Sequence, residues 1–260
     1  MKPRLPFKLG LKLWSSNIDL AAVARRACDD GVFDYIELYV VPKTESLIPA
    51  WRDACPSLII HCPHMSHGFN LASSELRASN KTLFSEEQLF ADKLAADTII
   101  VHSGNGGPLE EPIAQFRGLS DPRVCVENKP RIGLNGAICL GTTPEEIRII
   151  MSEGQVHGFA LDFSHAVCTA NSLNLDLSAF LRDFLKLNPR IFHFNDGNRE
   201  MVHDAHLNLG RGSFDLPALL RFIPAGVRVS LETPRATGGG LEDFLKDREA
   251  LVALLKEGQK

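Results

Sequence analysis

Short runs of apolar and β-branched residues recur along the chain, separated by longer amphipathic segments. The runs are KLGLKLW (8–14), YIELYV (35–40), SLIIHCP (57–63), TIIVHSG (98–104), RVCVENK (123–129), GFALDFSH (158–165), RIFHFND (190–196) and VRVSLETP (227–234). Their length and composition predict buried strands. Between them, segments such as 18–31, 74–97, 143–154, 176–187, 214–223 and 241–258 carry helical periodicity, several opened by Ser, Thr or Asp as N-caps. EEPIAQFRGL (110–119) is the weakest helical candidate. Strand and helix alternating in this way predict βα units and a parallel sheet. With no Pro/Gly/Ser linker and no short repeat, residues 1–260 are expected to form one α/β domain, a single (β/α)8 TIM barrel. A doubly wound open sheet is the other fold that alternation alone allows.

The polar residues at the run ends change the picture. In such a barrel the carboxyl ends of the strands surround one mouth, where catalytic groups collect. Run two carries Glu37; run three ends near His61, run four at His102, run five at Glu127 and Asn128, and run six at Asp162 and His165. Run seven supplies His193, Asn195 and Asp196, the following loop Asp204 and His206, and run eight Glu232. A single histidine of this kind is more often a satisfied core or loop residue than a ligand. The accumulation argues otherwise, because several carboxylates buried side by side are costly unless cations compensate them. His nitrogen mixed with carboxylate oxygen suits Zn(II), with Mn(II) or Fe(II) as alternatives. At three or four protein ligands per ion with one carboxylate shared, the inventory suits two or three metals.

Composition narrows the setting. The hydrophobic fraction of 44% and the charged fraction of 23% are those of a globular chain with a large core. A net charge of −4 argues against indiscriminate nucleic-acid coating, although local basic loops or bound cations can still receive a phosphate. The six cysteines (28, 55, 62, 125, 139 and 168) form no CxxC pair, so reduced core thiols are expected rather than a disulfide frame or thiolate metal site. No apolar run approaches the roughly 20 residues of a membrane span, and MKPRLPFKLG lacks a signal-peptide centre. The expectation is a cytoplasmic protein without membrane contact or an obligate protein partner.

Taken in order, HCPHMSHGFNLAS, VHSGNGG, VENKP, LDFSHA, HFND, DAHLNLGRG and LETP resemble the motifs of endonuclease IV, the family-2 apurinic/apyrimidinic endonucleases, within the xylose-isomerase-like barrel superfamily. The resemblance spans roughly residues 57 to 234. It implies a trinuclear zinc centre: His61, His102 and Glu127 on one ion, Glu127 bridging to a second held by Asp162, His193 and Glu232, and His165, Asp204 and His206 on the third. His64 competes with His61 for the run-three role. The implied activity is phosphodiester hydrolysis, with damaged duplex DNA carrying an abasic site as the family's substrate. Glu127 and Glu232 are expected to orient or deprotonate the attacking water. Arg211 and the GNGG turn at 104–107 are placed to contact phosphate, although glycines at a βα turn require no more than backbone freedom.

The departures lie where the family grips and bends DNA. GLKLWSSN stands where it has a His followed by a Ser-Ala-Gly-Gly-like turn, YIELYVVPKTES replaces an aromatic, Arg/Trp-rich segment, and Arg211 replaces an acidic residue between two glycines. These changes keep a second enzyme class open: a sugar isomerase or epimerase holding one Mn(II) or similar ion on Glu127, Asp162, His193 and Glu232, with a small sugar as substrate. A barrel kept as a binding module is the third class. Asp162 belongs to either enzyme, whereas His165 discriminates between them.

Overall fold

The computed structural model describes residues 5–235 and 240–257 and closes the eight runs into a parallel barrel in sequence order, with the first strand paired to the last. The strands are β1 (Lys8–Trp14), β2 (Tyr35–Tyr39), β3 (Leu58–His61), β4 (Ile99–His102), β5 (Val124–Glu127), β6 (Gly158–Asp162), β7 (Ile191–Phe194) and β8 (Arg228–Leu231). Closure removes both sheet edges and with them the open-sheet alternative. Outside run α1 (Ala21–Asp29), the short α2 (Ile48–Arg52), α3 (Arg77–Lys93), α4 (Glu110–Leu119), α5 (Pro144–Gly154), α6 (Phe163–Leu173), α7 (Leu177–Leu185), the short α8 (Leu216–Leu220) and α9 (Glu242–Glu257). The weak candidate at 110–119 is a full helix because Ile113 and Phe116 are buried and Glu111 pairs with Arg77 of α3.

Strands stop earlier than the apolar runs. The largest difference is at FSH: residues 163–165 begin α6 rather than extending β6. The reason is local. Asp162 is the N-cap of α6, its Oδ1 accepting a hydrogen bond from the His165 N–H at 2.7 Å.

Alternation along each strand separates two faces. Outward residues such as Leu11, Ile36, Val101, Leu161 and Phe192 pack under the helices in the main core. Inward, Tyr35, Ile59, Ile100, Cys125, Ala160 and Ile191 form a separate buried layer that plugs the barrel. Each large apolar side chain so enclosed contributes about 1.5–3 kcal/mol relative to exposure. Gly10 leaves room for the Tyr35 ring, whose nearest carbon atom would lie 2.3 Å from an added Cβ. One pleat further on, every strand turns a polar side chain inward: Lys12, Glu37, His61, His102, Glu127, Asp162, His193 and, just past β8, Glu232. The plug is therefore the floor beneath a polar ring.

Among the described residues no helix is long and apolar enough to cross a membrane. All six cysteines are free thiols. Sequence spacing conceals one contact: the sulfurs of Cys28 and Cys55 lie 2.7 Å apart. Burial and that contact push the Cys28 thiol up to about 12, so it stays protonated at neutral pH.

Candidate metal centre

Glu127, 1% exposed at the end of β5, is the hub of the ring. Its Oε2 lies 3.1 Å from His61 Nε2 and 3.0 Å from His102 Nε2. Its Oε1 lies 3.2 Å from His165 Nδ1 and 3.4 Å from His193 Nδ1. One carboxylate thus faces four imidazoles drawn from four separate segments.

Most of these rings are oriented from behind. His61 Nδ1 donates to the Cys62 carbonyl at 2.7 Å, His165 Nδ1 to the Asn128 carbonyl at 2.8 Å, and His206 Nδ1 to the Glu232 carbonyl at 2.8 Å. His193 Nε2 donates to Glu37 Oε2 at 3.0 Å, and Ser230 Oγ donates to the same oxygen at 2.5 Å. An imidazole that spends one N–H on an outer acceptor presents its other nitrogen as a lone pair, the arrangement by which proteins orient metal-binding histidines.

What those nitrogens meet is carboxylate oxygen. His165 Nε2 is 3.5 Å from Asp204 Oδ2, which also contacts His206 Nε2. His193 Nδ1 is 3.0 Å from Glu232 Oε1 and 3.8 Å from Asp162 Oδ2. Buried Asp162 Oδ2 and His193 Nδ1 have no hydrogen-bond partner. Lone pair facing lone pair is unfavourable unless a proton or a metal cation lies between them. Ligand atoms converge within 4.8 Å in His61, His102 and Glu127, in Glu127, Asp162 and His193, and in His165, Asp204 and His206. The donor set fits divalent metals of the zinc or manganese type.

Electrostatics point the same way. Burial is the largest influence on both His61 and His102 and lowers their pKa values, so both rings are neutral at pH 7. For His165 burial acts downward, but Asp162, Asp204 and Glu127 outweigh it and raise the ring to about 10. For His193 burial is again opposed, chiefly by Glu37 and Glu127, and the result is about 9. Glu127 and Asp204 are held well below the usual carboxylate range; burial alone would raise them, and the surrounding imidazoles reverse it.

The loop after β7 brings Asp204 and His206 to the ring, and Asp196 shapes that loop. Its Oδ1 accepts from the N–H groups of Gly197 (2.8 Å) and Phe214 (3.2 Å), and its Oδ2 from Gly210 and Gly212 (both 2.9 Å). Asn128 ties β5 to β6, its side chain accepting from Asp162 N–H at 2.7 Å and donating to the Asp162 carbonyl at 3.0 Å. Asn195 is buried, its side-chain nitrogen donating to the Asp196 carbonyl. These residues position the ring rather than join it.

Of the two histidines competing for the β3 role, His61 reaches Glu127, while His64 packs on Tyr39 with ring centroids 5.2 Å apart and meets Ser66 Oγ at 2.8 Å. The GNGG turn is a packing device. Gly104 has φ +88°, and a Cβ there would stand 2.0 Å from Asn70 Oδ1; one on Gly107 would stand 1.9 Å from the Ala72 carbonyl. The turn and the NLAS segment are thereby pressed together, with no gap for a phosphate between them. Arg211 is exposed outside the cavity wall, and its backbone N–H donates to the Asn208 carbonyl. The structure does not bring it to the ring.

Above the ring lies a cavity of about 1030 Å³, walled by Trp14, Met65, Lys129, Leu134 and Arg235 among others. Leu134 is 86% exposed at the tip of an arm pinned by the Ile132–Ile138 and Asn105–Cys139 bridges. Lys129 has no ion-pair partner among the described residues, whereas the Arg235 guanidinium is spent on Thr233 and the Phe244 ring. Glu37 and Lys12 join the ring although strand-end motifs do not single out Lys12. The period-two step from Gly10 is the signal that locates it.

No family model matches the sequence, and no curated protein matches it. Solved structures do. A D-tagatose 3-epimerase-like protein superposes with TM-score 0.72 at 19% identity, covering 97% of this chain and 98% of its own. Endonuclease IV from Thermus thermophilus gives 0.66 at 20%, covering 96% and 99%. A second Thermus thermophilus protein, from a crystal soaked with ZnCl2, gives 0.66 at 23%, covering 98% and 100%. At these identities the likeness is one of fold: the closed (β/α)8 barrel of this chain is also that of these three proteins.

Proposed function

We propose that the protein is a divalent-metal-dependent hydrolase of phosphodiesters with a three-ion centre, zinc being the first metal to test. One observation carries this reading: the third group of donors, His165, Asp204 and His206, has no task in a one-metal isomerase. His61, His102 and Glu127 would hold one ion, Glu127, Asp162, His193 and Glu232 a second, and that third group the last. Bound there, such ions would lower the pKa of water and supply positive charge for the phosphoryl and leaving oxygens.

The chain's own groups divide the remaining work. Glu232, 5% exposed at the cavity floor, orients the attacking water and takes its proton, with Glu127 fixing the geometry from below. Lys129 in the wall receives the substrate anion.

A second reading, sugar epimerisation, is favoured by Lys12 and Glu37 at the floor and by the likeness to the epimerase-like barrel. Metal analysis after purification without chelator separates the classes. Three zincs per chain with nicking of an abasic-site duplex supports the hydrolase. One manganese with isotope exchange at a sugar carbon replaces it with the epimerase, and a metal-free chain leaves a binding module.

A further inference from the structure

Around the ring each strand from β2 to β8 contributes a carboxylate or an imidazole, whereas β1 contributes Lys12. Its Nζ lies 3.1 Å from Glu37 Oε1 on one side and contacts Glu232 Oε1 on the other. Glu37 is 0% exposed. Its Oε2 is taken by His193 and Ser230, while Oε1 has no hydrogen-bond partner and faces the ammonium group. Ligand atoms of Glu37, His61 and Glu232 lie within 4.8 Å of one another. His61 Nε2 already belongs to the set with His102 and Glu127, so the two carboxylates are the donors left at this position, and Glu232 has two oxygens with which to bridge.

Resting on the reading of the ring as a metal centre, we propose that Lys12 is a tethered cation occupying a fourth cation position, between Glu37 and Glu232, from which it excludes a divalent metal. Two buried carboxylates require positive charge beside them. A lysine supplies it at a concentration fixed by the chain, independent of metal supply, but with one charge and no open coordination position. Lys12 thereby sets how many ions the ring accepts.

The test is metal stoichiometry, read by native mass spectrometry after equilibration with Mn(II) or Zn(II). Lys12→Ala should bind one more divalent ion per chain than the unaltered protein. Lys12→Arg, which keeps the charge, should show no gain, and ethylammonium added to Lys12→Ala should suppress it. In Lys12→Ala/Glu37→Gln the extra ion should be lost. An unchanged or smaller count in Lys12→Ala overturns the proposal. If removing the side chain prevents folding, Lys12→Gln provides the same test: its Tm should rise on adding Mn(II) by more than that of the unaltered protein, and an equal rise overturns the proposal. Since the readout is a difference, failure of the three-ion reading alters the starting count and leaves this comparison intact.

Discussion

Replacing Asp196 by Ala tests whether the loop that carries Asp204 and His206 is held by one carboxylate. The side chain, 1% exposed, accepts four backbone N–H groups. Gly210 and Gly212 are exposed, so their N–H groups can turn to water when the acceptor is lost. Those of buried Gly197 and half-buried Phe214 are left without an acceptor. An orphaned buried donor costs about 1–3 kcal/mol, so two of them give roughly 2–6 kcal/mol. At roughly 2–4 °C per kcal/mol for a domain near this size, the Tm should fall by about 5–20 °C. Asp196→Asn keeps one acceptor oxygen and should lose about half as much. The assay is thermal unfolding by circular dichroism beside metal content by mass spectrometry, with one ion per chain expected to be lost. An Asp196→Ala variant with unchanged Tm and metal content would show that the loop is held by other means.

Other consequences are open to measurement. His165→Ala should lower metal content by one ion and phosphodiesterase activity by about 100-fold or more; full activity would refute the third donor group. With His165 near 10 and His193 near 9 in the metal-free chain, metal binding at pH 7.5 should release about two protons, seen as buffer-dependent heats in calorimetry. Both values stand above the ordinary 6.5, so this part of the metal-free stability is complete below pH 6.5 and disappears as pH rises through about 9 to 10. Glu87 is buried in α3 with neither side-chain oxygen partnered, and burial raises its pKa well above 4.5. Its protonation supports folding in acid and fails as pH rises, so Glu87→Gln should gain stability relative to the unaltered chain from pH 5 to 8; a gap independent of pH would contradict this. Gly104→Ala combines a left-handed backbone with a clash against Asn70 and should cost about 2–5 kcal/mol in urea unfolding.

The βα alternation was legible because its strands are apolar, short and evenly interrupted, whereas closure rests on the pairing of β1 with β8, which alternation alone does not show. Strand ends were legible too, since His102, Glu127 and Asp162 each stop an apolar run where the mouth begins. What the chain concealed was mostly long-range or local geometry. Residues 163–165 read as strand because Phe163 is apolar, yet Asp162 caps a helix there, so one of its oxygens serves the backbone while the other faces His193. Asp196 stood among the polar residues at the run ends without a role, and its four backbone partners become apparent when the loop is folded back. Lys12 carried no motif at all. Arg211 was placed by its neighbours in sequence, and in the fold it lies on an exposed turn outside the cavity lining.

The pairing of β1 with β8 sets a timetable. Lys12 is synthesised well before Glu232, and they meet when the two edges of the sheet join. Contacts of such long sequence separation form late and slowly. A nascent or partly folded chain lacks the complete ring and has no assembled place to trap a wrong ion. Metal capture would then serve as a report that the whole barrel has closed.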